Sequence, residues 1–147
     1  MTRTVLVDSS VPLYALGADS AWRDPCRQVL AMLADGRLSG MASVEMIQEV
    51  VHHRLRMTGD RDRSVLDARD VAELVMVVPF DNAVLSVALD LIAQGPTIRG
   101  RDAVHAATAR TEGVDIIVSI DPDFDAVPGL TRLEPVKLLD IGPGWLF

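Results

Sequence analysis

Short apolar runs alternate with longer segments of mixed apolar and polar residues along the chain. Apolar runs bounded by turn residues are typical of buried strands, and the longer segments have the apolar spacing of helices. The predicted strands are Val5–Val7, Leu38–Ala42, Val75–Pro79, Ile116–Ile120 and Leu130–Leu133. The predicted helices are Trp22–Ala34, a helix capped by Ser43 that runs to about Met57, a helix from Asp62 to about Leu74, Asn82–Ala93 and Arg101–Glu112.

This alternation of strands and helices predicts an α/β fold. Strand–helix–strand units produce a parallel sheet with helices on both faces, and the strands of such a sheet are almost continuously apolar. The runs VMVVP and IIVSI have that composition, so both are predicted to be buried strands. The sequence contains no linker, low-complexity segment or internal repeat, and its 147 residues are expected to form a single domain spanning 1–147.

Composition and charge narrow the class of protein. Aromatic residues make up only 4% of a chain that is 49% hydrophobic, so the core is expected to be aliphatic. Cys26 is the only cysteine, which excludes an internal disulfide and fits a reducing compartment. No apolar run has the length of a membrane span or a signal-peptide core, so we expect a soluble, cytoplasmic protein without a membrane partner. The net charge of −7 argues against a general nucleic-acid coat, but it permits an enzyme that meets nucleic acid through an acidic, metal-filled pocket with a local basic rim.

Acidic residues follow two of the predicted strands. Asp8 follows the first strand, and Asp121 opens the segment DPDFD after IIVSI. The carboxyl ends of parallel strands share one sheet edge, so the two side chains converge if their strands are neighbours. A Mg²⁺ or Mn²⁺ ion would relieve the repulsion between such carboxylates. Each segment also has a purely structural interpretation, because DSSVP resembles the start of a helix and DPDFD a turn.

Two further acidic candidates lie on predicted helices. Asp102 shares a helix face with His105, although an acid in a first helical turn is favourable in any protein and His105 is more typical of a core residue than of a ligand. Glu49 lies opposite the apolar stripe of its helix and forms a like-charge pair with Glu45, so periodicity predicts a solvated side chain.

Basic and nucleophilic residues give weaker signals. Arg54, Arg56 and Arg101 are candidate RNA contacts, but a solvated face is the better explanation of the basic stretch around Arg56. His52 and His53 diverge by about 100° on a helix, so they do not form a metal site together. Cys26 lacks an evident base and no GxSxG segment is present, so thiol and serine catalysis are not supported.

Taken in order, these segments resemble the PIN-domain family, and specifically the VapC-type toxins of bacterial toxin–antitoxin pairs. The segments that carry the resemblance are VLVDSSVPLY, ASVEMIQEVVHHRL and RGRDAVHAATARTEGVDIIVSIDPDFDAVPGL, which together span nearly the whole chain. The resemblance implies a three-layer α/β/α sandwich around a mainly parallel sheet, with acids at its carboxyl edge that hold one or two Mg²⁺ or Mn²⁺ ions.

The resemblance also assigns roles to individual residues. It implies catalytic acids, metal ligands and two supporting hydroxyl residues. The catalytic acids are Asp8, Glu49, Asp102 and Asp121; the metal ligands are Asp8, Asp102, Asp121 and Asp123; the supporting residues are Ser10 and Ser119. For Glu49 this overrides the interpretation from periodicity. Glu45 in place of Glu49, and Asp125 in place of Asp123, remain open alternatives.

The activity implied is that of a metal-dependent endoribonuclease acting on tRNA, rRNA or mRNA. Attack by water would leave 5′-phosphate and 3′-hydroxyl ends. The resemblance further implies a homodimer and a cognate VapB-type antitoxin. A PIN-fold nuclease of RNA maturation and a catalytically silent metal- or RNA-binding module are the alternatives. A phosphatase of the haloacid dehalogenase type is disfavoured, because that class needs a second aspartate where this chain has Ser10.

Overall fold

The computed structural model of the protein describes residues 3–141, which form five strands, seven α-helices and a short 3₁₀ helix. The strands are β1 (Thr4–Val7), β2 (Ser39–Ser43), β3 (Met76–Val78), β4 (Ile116–Val118) and β5 (Thr131–Leu133). The helices are α1 (Ser10–Leu16), α2 (Arg23–Ala34), α3 (Val44–Thr58), α4 (Arg61–Leu74), α5 (Asn82–Gln94), α6 (Gly100–Thr111) and α7 (Pro135–Ile141), and the 3₁₀ helix is Pro122–Ala126.

All five strands pair in parallel, in the order β3–β2–β1–β4–β5. In the centre of the sheet, Leu6 pairs with Ile117 and Val7 with Val118, so β1 and β4 are neighbours. The strand order reverses between β1 and β4, and open α/β sheets bind their ligands beyond the carboxyl ends of the strands at such a point. The predicted α/β class is confirmed.

Helices cover both faces of this sheet because alternate residues of the central strands point to opposite sides. Val5, Val7 and Val118 belong to one apolar core with α1, α2, α3, α4 and α7. Leu6 and Ile117 belong to a second core with α5 and α6. The result is the three-layer arrangement predicted, with the central strands β1 and β4 buried on both faces.

Side-chain caps fix the ends of the helices that the sequence predicts most clearly. The Ser43 hydroxyl accepts a hydrogen bond from the Glu45 N–H (3.1 Å), and Gly59 ends α3 with φ +67°. Asp81 caps α5 by accepting a hydrogen bond from the Val84 N–H (3.0 Å). These contacts satisfy backbone groups that the first and last helical turns leave unpaired, so local chemistry explains why the boundaries are predictable.

Several predicted elements differ from the observed ones. Strand β3 lies within the predicted range Val75–Pro79, but it is at the edge of the sheet and Met76 is 63% exposed, so the predicted burial of this strand is wrong. Strand β4 ends at Val118 instead of Ile120, because the Ser119 hydroxyl accepts the Asp121 N–H (3.0 Å) and turns the chain. Helix α1 begins within DSSVP, for which a helix start is one of the two interpretations given above, and α7 has no counterpart among the predicted elements. None of the helices in residues 3–141 combines the length and the apolar character needed to cross a membrane.

Candidate active site and metal centre

The register of the two central strands places Asp8 beside Ser119. Asp8 follows Val7 and Ser119 follows its paired residue Val118, so both lie at the carboxyl edge of the sheet. Ser119 Oγ donates a hydrogen bond to Asp8 Oδ2 (2.7 Å), and both residues are buried. The condition for Asp8 and Asp121 to converge, that β1 and β4 are neighbours, is met, although a serine, not Asp121, directly follows β4.

Three carboxylates meet beyond this edge. Asp121 caps the 3₁₀ helix by accepting the Asp123 N–H (2.9 Å), and Asp102 reaches the same place from the first turn of α6. One carboxylate oxygen from each of Asp102, Asp121 and Asp123 lies within 4.8 Å of the other two. Oxygen ligands at this spacing suit a hard divalent cation such as Mg²⁺ or Mn²⁺. Within residues 3–141, this group does not include Asp8.

Asp102 has the most perturbed acidity in the site. Burial, together with the negative charges of Asp121 and Asp8, raises the pKa of Asp102 from its ordinary value of 3.8 to about 7. The nearby charge of His105 opposes this shift without cancelling it. A cation between the carboxylates would favour the ionised form of Asp102, so the charge distribution fits a metal site.

Glu49 lies on the side of the site formed by α3. Its two carboxylate oxygens accept one hydrogen bond each, Oε2 from Ser9 Oγ (2.8 Å) and Oε1 from His105 Nε2 (2.6 Å). Burial alone would raise the pKa of Glu49, but the hydrogen bond and charge of His105 and the hydrogen bond from Ser9 lower it. The side chain is only 14% exposed, so the interpretation of Glu49 as solvated, drawn from periodicity, is wrong.

His105 connects Glu49 with Asp8. Its ring is fully buried in α6, and Nε2 lies 3.9 Å from Asp8 Oδ1 as well as 2.6 Å from Glu49. Burial alone would lower the pKa of His105, but the hydrogen bond to Glu49 and the negative charges of Asp8, Glu49 and Asp102 raise it. The histidine therefore occupies an interior position in contact with the acids, in keeping with its prediction as a core residue.

The two predicted supporting serines organise the backbone around the acids. Ser10 Oγ accepts the Ile120 N–H (3.2 Å), and Ser119 Oγ accepts the Asp121 N–H. The two hydroxyl oxygens are 3.5 Å apart. Together they tie the start of α1 to the turn after β4 and hold Asp121 near the sheet edge.

The alternative acids point to other partners. Glu45 forms an ion pair with Arg101 (3.3 Å), and Asp125 forms a two-pronged ion pair with Arg132 (2.9 and 3.1 Å). Arg132 lowers the pKa of Asp125 through this hydrogen bond. The fold thus brings Glu49, not Glu45, and Asp123, not Asp125, to the site.

The candidate RNA-contacting arginines occupy different environments. Arg54 is bound to Asp67 (3.0 Å) and to the Leu16 carbonyl (3.1 Å), and its side chain is only 15% exposed. Arg56 is exposed on α3, and Arg101 is half-exposed beside Asp102. Arg54 is therefore held by protein groups, whereas Arg56 and Arg101 are accessible.

A cleft of about 740 Å³ opens at the acids and continues along α1 and the end of α3. Asp8, Asp102 and Asp121 line one end of the cleft. Tyr14 and Met57 line its more apolar part. The arrangement brings buried carboxylates, a candidate cation site and an elongated groove together.

The family model of the PIN domain matches residues 5–130, which include every acid of this site. The chain belongs to the PIN-domain family. It is similar to Ribonuclease VapC7 of Mycobacterium tuberculosis, with 35% identity over 137 residues that cover 89% of this chain and 91% of the relative. Ribonuclease VapC13 of the same organism is 28% identical, covering 88% of this chain and 98% of that protein. This PIN domain is therefore a homologue of the VapC ribonucleases.

Solved structures share the fold of this PIN domain. The Mycobacterium tuberculosis toxin VapC20, described as cleaving the sarcin–ricin loop, superposes with a TM-score of 0.68 at 20% identity, covering 83% of this chain and 93% of that one. VapBC2 from Rickettsia felis, solved bound to a promoter DNA fragment, superposes with a TM-score of 0.70 at 15% identity, covering 89% of this chain and 98% of that one.

Ser9 is the site residue of this PIN domain that the sequence did not single out. It occupies the N-cap position of α1, where a serine usually accepts a backbone N–H, but its side chain makes no capping bond and donates to Glu49 instead. Its position directly after Asp8 was the only available signal. Spacing along the chain cannot show that α3 supplies its partner.

Proposed function

We propose that this protein is the toxin of a VapBC-type toxin–antitoxin system and acts as a Mg²⁺- or Mn²⁺-dependent endoribonuclease. The observation that carries the proposal is the group of three carboxylates, Asp102, Asp121 and Asp123, at the carboxyl edge of a PIN-domain sheet. Homology to VapC ribonucleases over nearly the whole chain supports RNA as the substrate class.

Asp102, Asp121 and Asp123 would hold the metal, and Asp8 completes the negative charge around it. The raised pKa of Asp102 supports this assignment, because like charges already crowd the position that a cation would neutralise. When bound, Mg²⁺ or Mn²⁺ lowers the pKa of a coordinated water and stabilises negative charge on phosphoryl and leaving oxygens.

The chemistry proposed is hydrolysis of a phosphodiester bond in RNA. Water attacks phosphorus in line with the leaving O3′ and gives up one proton, the P–O3′ bond breaks, and O3′ takes up one proton. The products are a 5′-phosphate and a 3′-hydroxyl, because the nucleophile is water and not the neighbouring ribose 2′-OH. Asp8 is held rigidly by Ser119 and Glu49 by Ser9 and His105, so both negative charges keep fixed positions without reorganisation during the reaction.

Arg101 and Arg56 are the better candidates for contacts with RNA phosphates. Arg101 is half-exposed, and its ion pair with Glu45 is a surface interaction that an RNA phosphate can replace. Arg54 is a weaker candidate, because Asp67 already neutralises it in a largely buried ion pair. Local basic groups beside the acids would guide RNA toward a protein whose net charge is −7.

The proposed partners are a VapB-type antitoxin and a second copy of this chain. The likeness to VapC20 and to VapBC2 supports the first only at the level of the fold, since identities are 20% or lower. Leu85, Leu89 and Ile92 support the second, because they expose one apolar face of α5. Apolar faces of this kind are typical of homodimer interfaces.

The function is tested by sequencing new 5′-phosphate RNA ends in cells after induced expression, with Asp8→Asn as the matched control. We expect a small number of sharp new ends with the wild-type protein and none with Asp8→Asn, because the variant keeps the shape of the side chain but loses its charge. Identical end maps for the two proteins would contradict the toxin proposal and favour a silent binding module. Discrete ends at the processing sites of precursor RNA would favour the maturation nuclease.

A further inference from the structure

Glu49 differs from the other acids of the site in how its carboxylate is occupied. Both of its oxygens accept short hydrogen bonds from side chains of other elements, Ser9 at the start of α1 and His105 on α6. The three acids grouped at the candidate cation site are Asp102, Asp121 and Asp123, and among the residues described Glu49 is not part of that group.

His105 has no other acceptor of comparable quality for the hydrogen bond that it makes to Glu49. The His105 ring is fully buried, and nothing in residues 3–141 hydrogen-bonds its Nδ1. Apart from Glu49, the nearest acidic oxygen to Nε2 belongs to Asp8 and is 3.9 Å away, beyond hydrogen-bond distance. Moving Glu49 toward a cation would therefore leave a buried imidazole without a hydrogen bond, which is unfavourable in a protein interior.

The Ser9 hydroxyl is likewise committed to Glu49. An N-cap serine normally stabilises its own helix by accepting a backbone N–H, and Ser9 does not do so. The side chain is buried and donates to Glu49 Oε2 at 2.8 Å. Three elements, α1, α3 and α6, thus meet at one carboxylate.

We propose that Ser9 and His105 are positioning residues that clamp Glu49 by its two oxygens and keep it next to Asp8 as an oriented hydrogen-bond acceptor, not as a ligand of the metal. This inference rests on the proposed ribonuclease function. The lone pairs that remain on the two clamped oxygens have fixed directions. They suit Glu49 to orient the attacking water, whereas the aspartates hold the cation.

The clamp is tested first by His105→Leu and His105→Gln, with His52→Leu as the matched control on the exposed surface of α3. Leucine keeps the apolar bulk of the ring without a donor, and the glutamine amide can place a donor near the position of Nε2. We expect kcat for RNA cleavage to fall about 10- to 100-fold in His105→Leu, as is usual when a partner that orients a site residue is lost. His105→Gln should recover much of that loss, and His52→Leu should cleave like the wild type. Wild-type cleavage by His105→Leu would overturn the clamp.

The metal part of the inference is tested by calorimetric titration of Mn²⁺ into the RNA-free protein. Glu49→Gln should bind Mn²⁺ like the wild type, whereas Asp121→Asn should lose most of the affinity. A tenfold or greater loss of Mn²⁺ affinity in Glu49→Gln, equivalent to about 1.4 kcal/mol or more, would make Glu49 a ligand and contradict the proposal.

An imidazole ¹H–¹⁵N spectrum gives a readout independent of activity. The chain has three histidines, and His52 and His53 are exposed. A slowly exchanging Nε2–H signal from buried His105 is expected, and it should shift in both Glu49→Ala and Ser9→Ala, since each variant disturbs the clamp. No shift in Glu49→Ala would overturn the clamp.

Absence of RNA cleavage by the wild type would instead contradict the ribonuclease proposal, and the spectrum and the Mn²⁺ titration would still decide on the clamp. If His105→Leu does not fold, Ser9→Ala takes its place in the cleavage assay, with a smaller loss of kcat expected.

Discussion

Asp102 is the residue on which electrostatic repulsion in the site is concentrated. It is partly buried, and Asp121 and Asp8 surround it with negative charge, which together with burial raises its pKa to about 7. Such crowding is unfavourable for the metal-free protein, and metal binding relieves it with release of a proton. Perturbed carboxylates of this kind are common at functional sites.

The stability of the metal-free protein should therefore depend on Asp102 and on pH. The pKa of Asp102 is about 7 in the folded state against an ordinary value of 3.8, so between these values the folded protein binds more protons than the unfolded chain. Stability then falls as pH rises from about 4 to about 7 and stays low above that range. Because the group is partly open to solvent, we expect Asp102→Asn to be more stable than the wild type at pH 8 by roughly 1–3 kcal/mol.

Urea unfolding in EDTA at pH 4.5 and pH 8 measures this effect. The advantage of Asp102→Asn should be small at pH 4.5 and large at pH 8. An advantage of equal size at both pH values, or none at either, would show that Asp102 does not carry the repulsion.

Substitutions of Glu45 and Glu49 should have clearly different effects on RNA cleavage, although the two residues lie one helical turn apart. Glu45 pairs with Arg101 at the surface, and Glu49 lies against Ser9 and His105 in the site. We expect Glu45→Gln to change kcat by less than about threefold, as for the loss of a surface ion pair. Glu49→Gln should lower it by about 100-fold, as for misplacement of the attacking water that this carboxylate orients. Initial rates of Mn²⁺-dependent RNA cleavage check both; a larger loss in Glu45→Gln would exchange their roles.

At the scale of secondary structure, local chemistry made most elements predictable. Ser43, Gly59 and Asp81 occupy the cap positions that their sequence context indicates. The burial of β3 was mispredicted because an apolar run does not reveal whether its strand is central or at an edge, as with Met76. Glu49 was mispredicted by periodicity for a related reason. At Glu49 the polar side of α3 meets Ser9 at the start of α1 and His105 on α6 instead of water, and a helical wheel records only where the apolar residues lie.

The packing of α3 against α4 depends on a buried carboxylate. Asp67 is 2% exposed, accepts a hydrogen bond from Arg54 on α3 (3.0 Å), and forms an ion pair with Arg63 on its own helix (3.1 Å). Removing one member of a buried ion pair leaves the other charge without its partner. We expect Asp67→Ala to destabilise the protein by about 2–4 kcal/mol, below the upper end for such pairs because Arg63 reaches solvent.

Chemical denaturation of Asp67→Ala beside Asp70→Ala, an exposed acid on the same helix, measures this contribution. Asp70→Ala should lie within about 0.5 kcal/mol of the wild type, as is usual for surface positions. Equal midpoints for the two variants would show that the ion pairs of Asp67 do not stabilise the contact between α3 and α4.

At the scale of the whole molecule, strand order decides which acids meet. The sequence placed Asp8 and Asp121 after strands, but only the order β3–β2–β1–β4–β5 makes those strands neighbours. The family resemblance supplied only the gathering of the acids at the carboxyl edge of the sheet, and no local signal specifies which strands pair. Neither the sequence pattern nor the family resemblance indicated the contact of Ser9 with Glu49, because this contact depends on the three-dimensional approach of α1 to α3.

The central claim is that carboxylates at this edge of the sheet hold a divalent cation for RNA hydrolysis. The most direct measurement is Mn²⁺-dependent cleavage of RNA by the purified protein, comparing the wild type with Asp121→Asn and identifying the ends formed. We predict that the wild type leaves 5′-phosphate ends only when Mn²⁺ is present, and that Asp121→Asn, folded to the same circular-dichroism spectrum, leaves almost none. Equal cleavage by both proteins, or cleavage by the wild type that persists in EDTA, would contradict the claim.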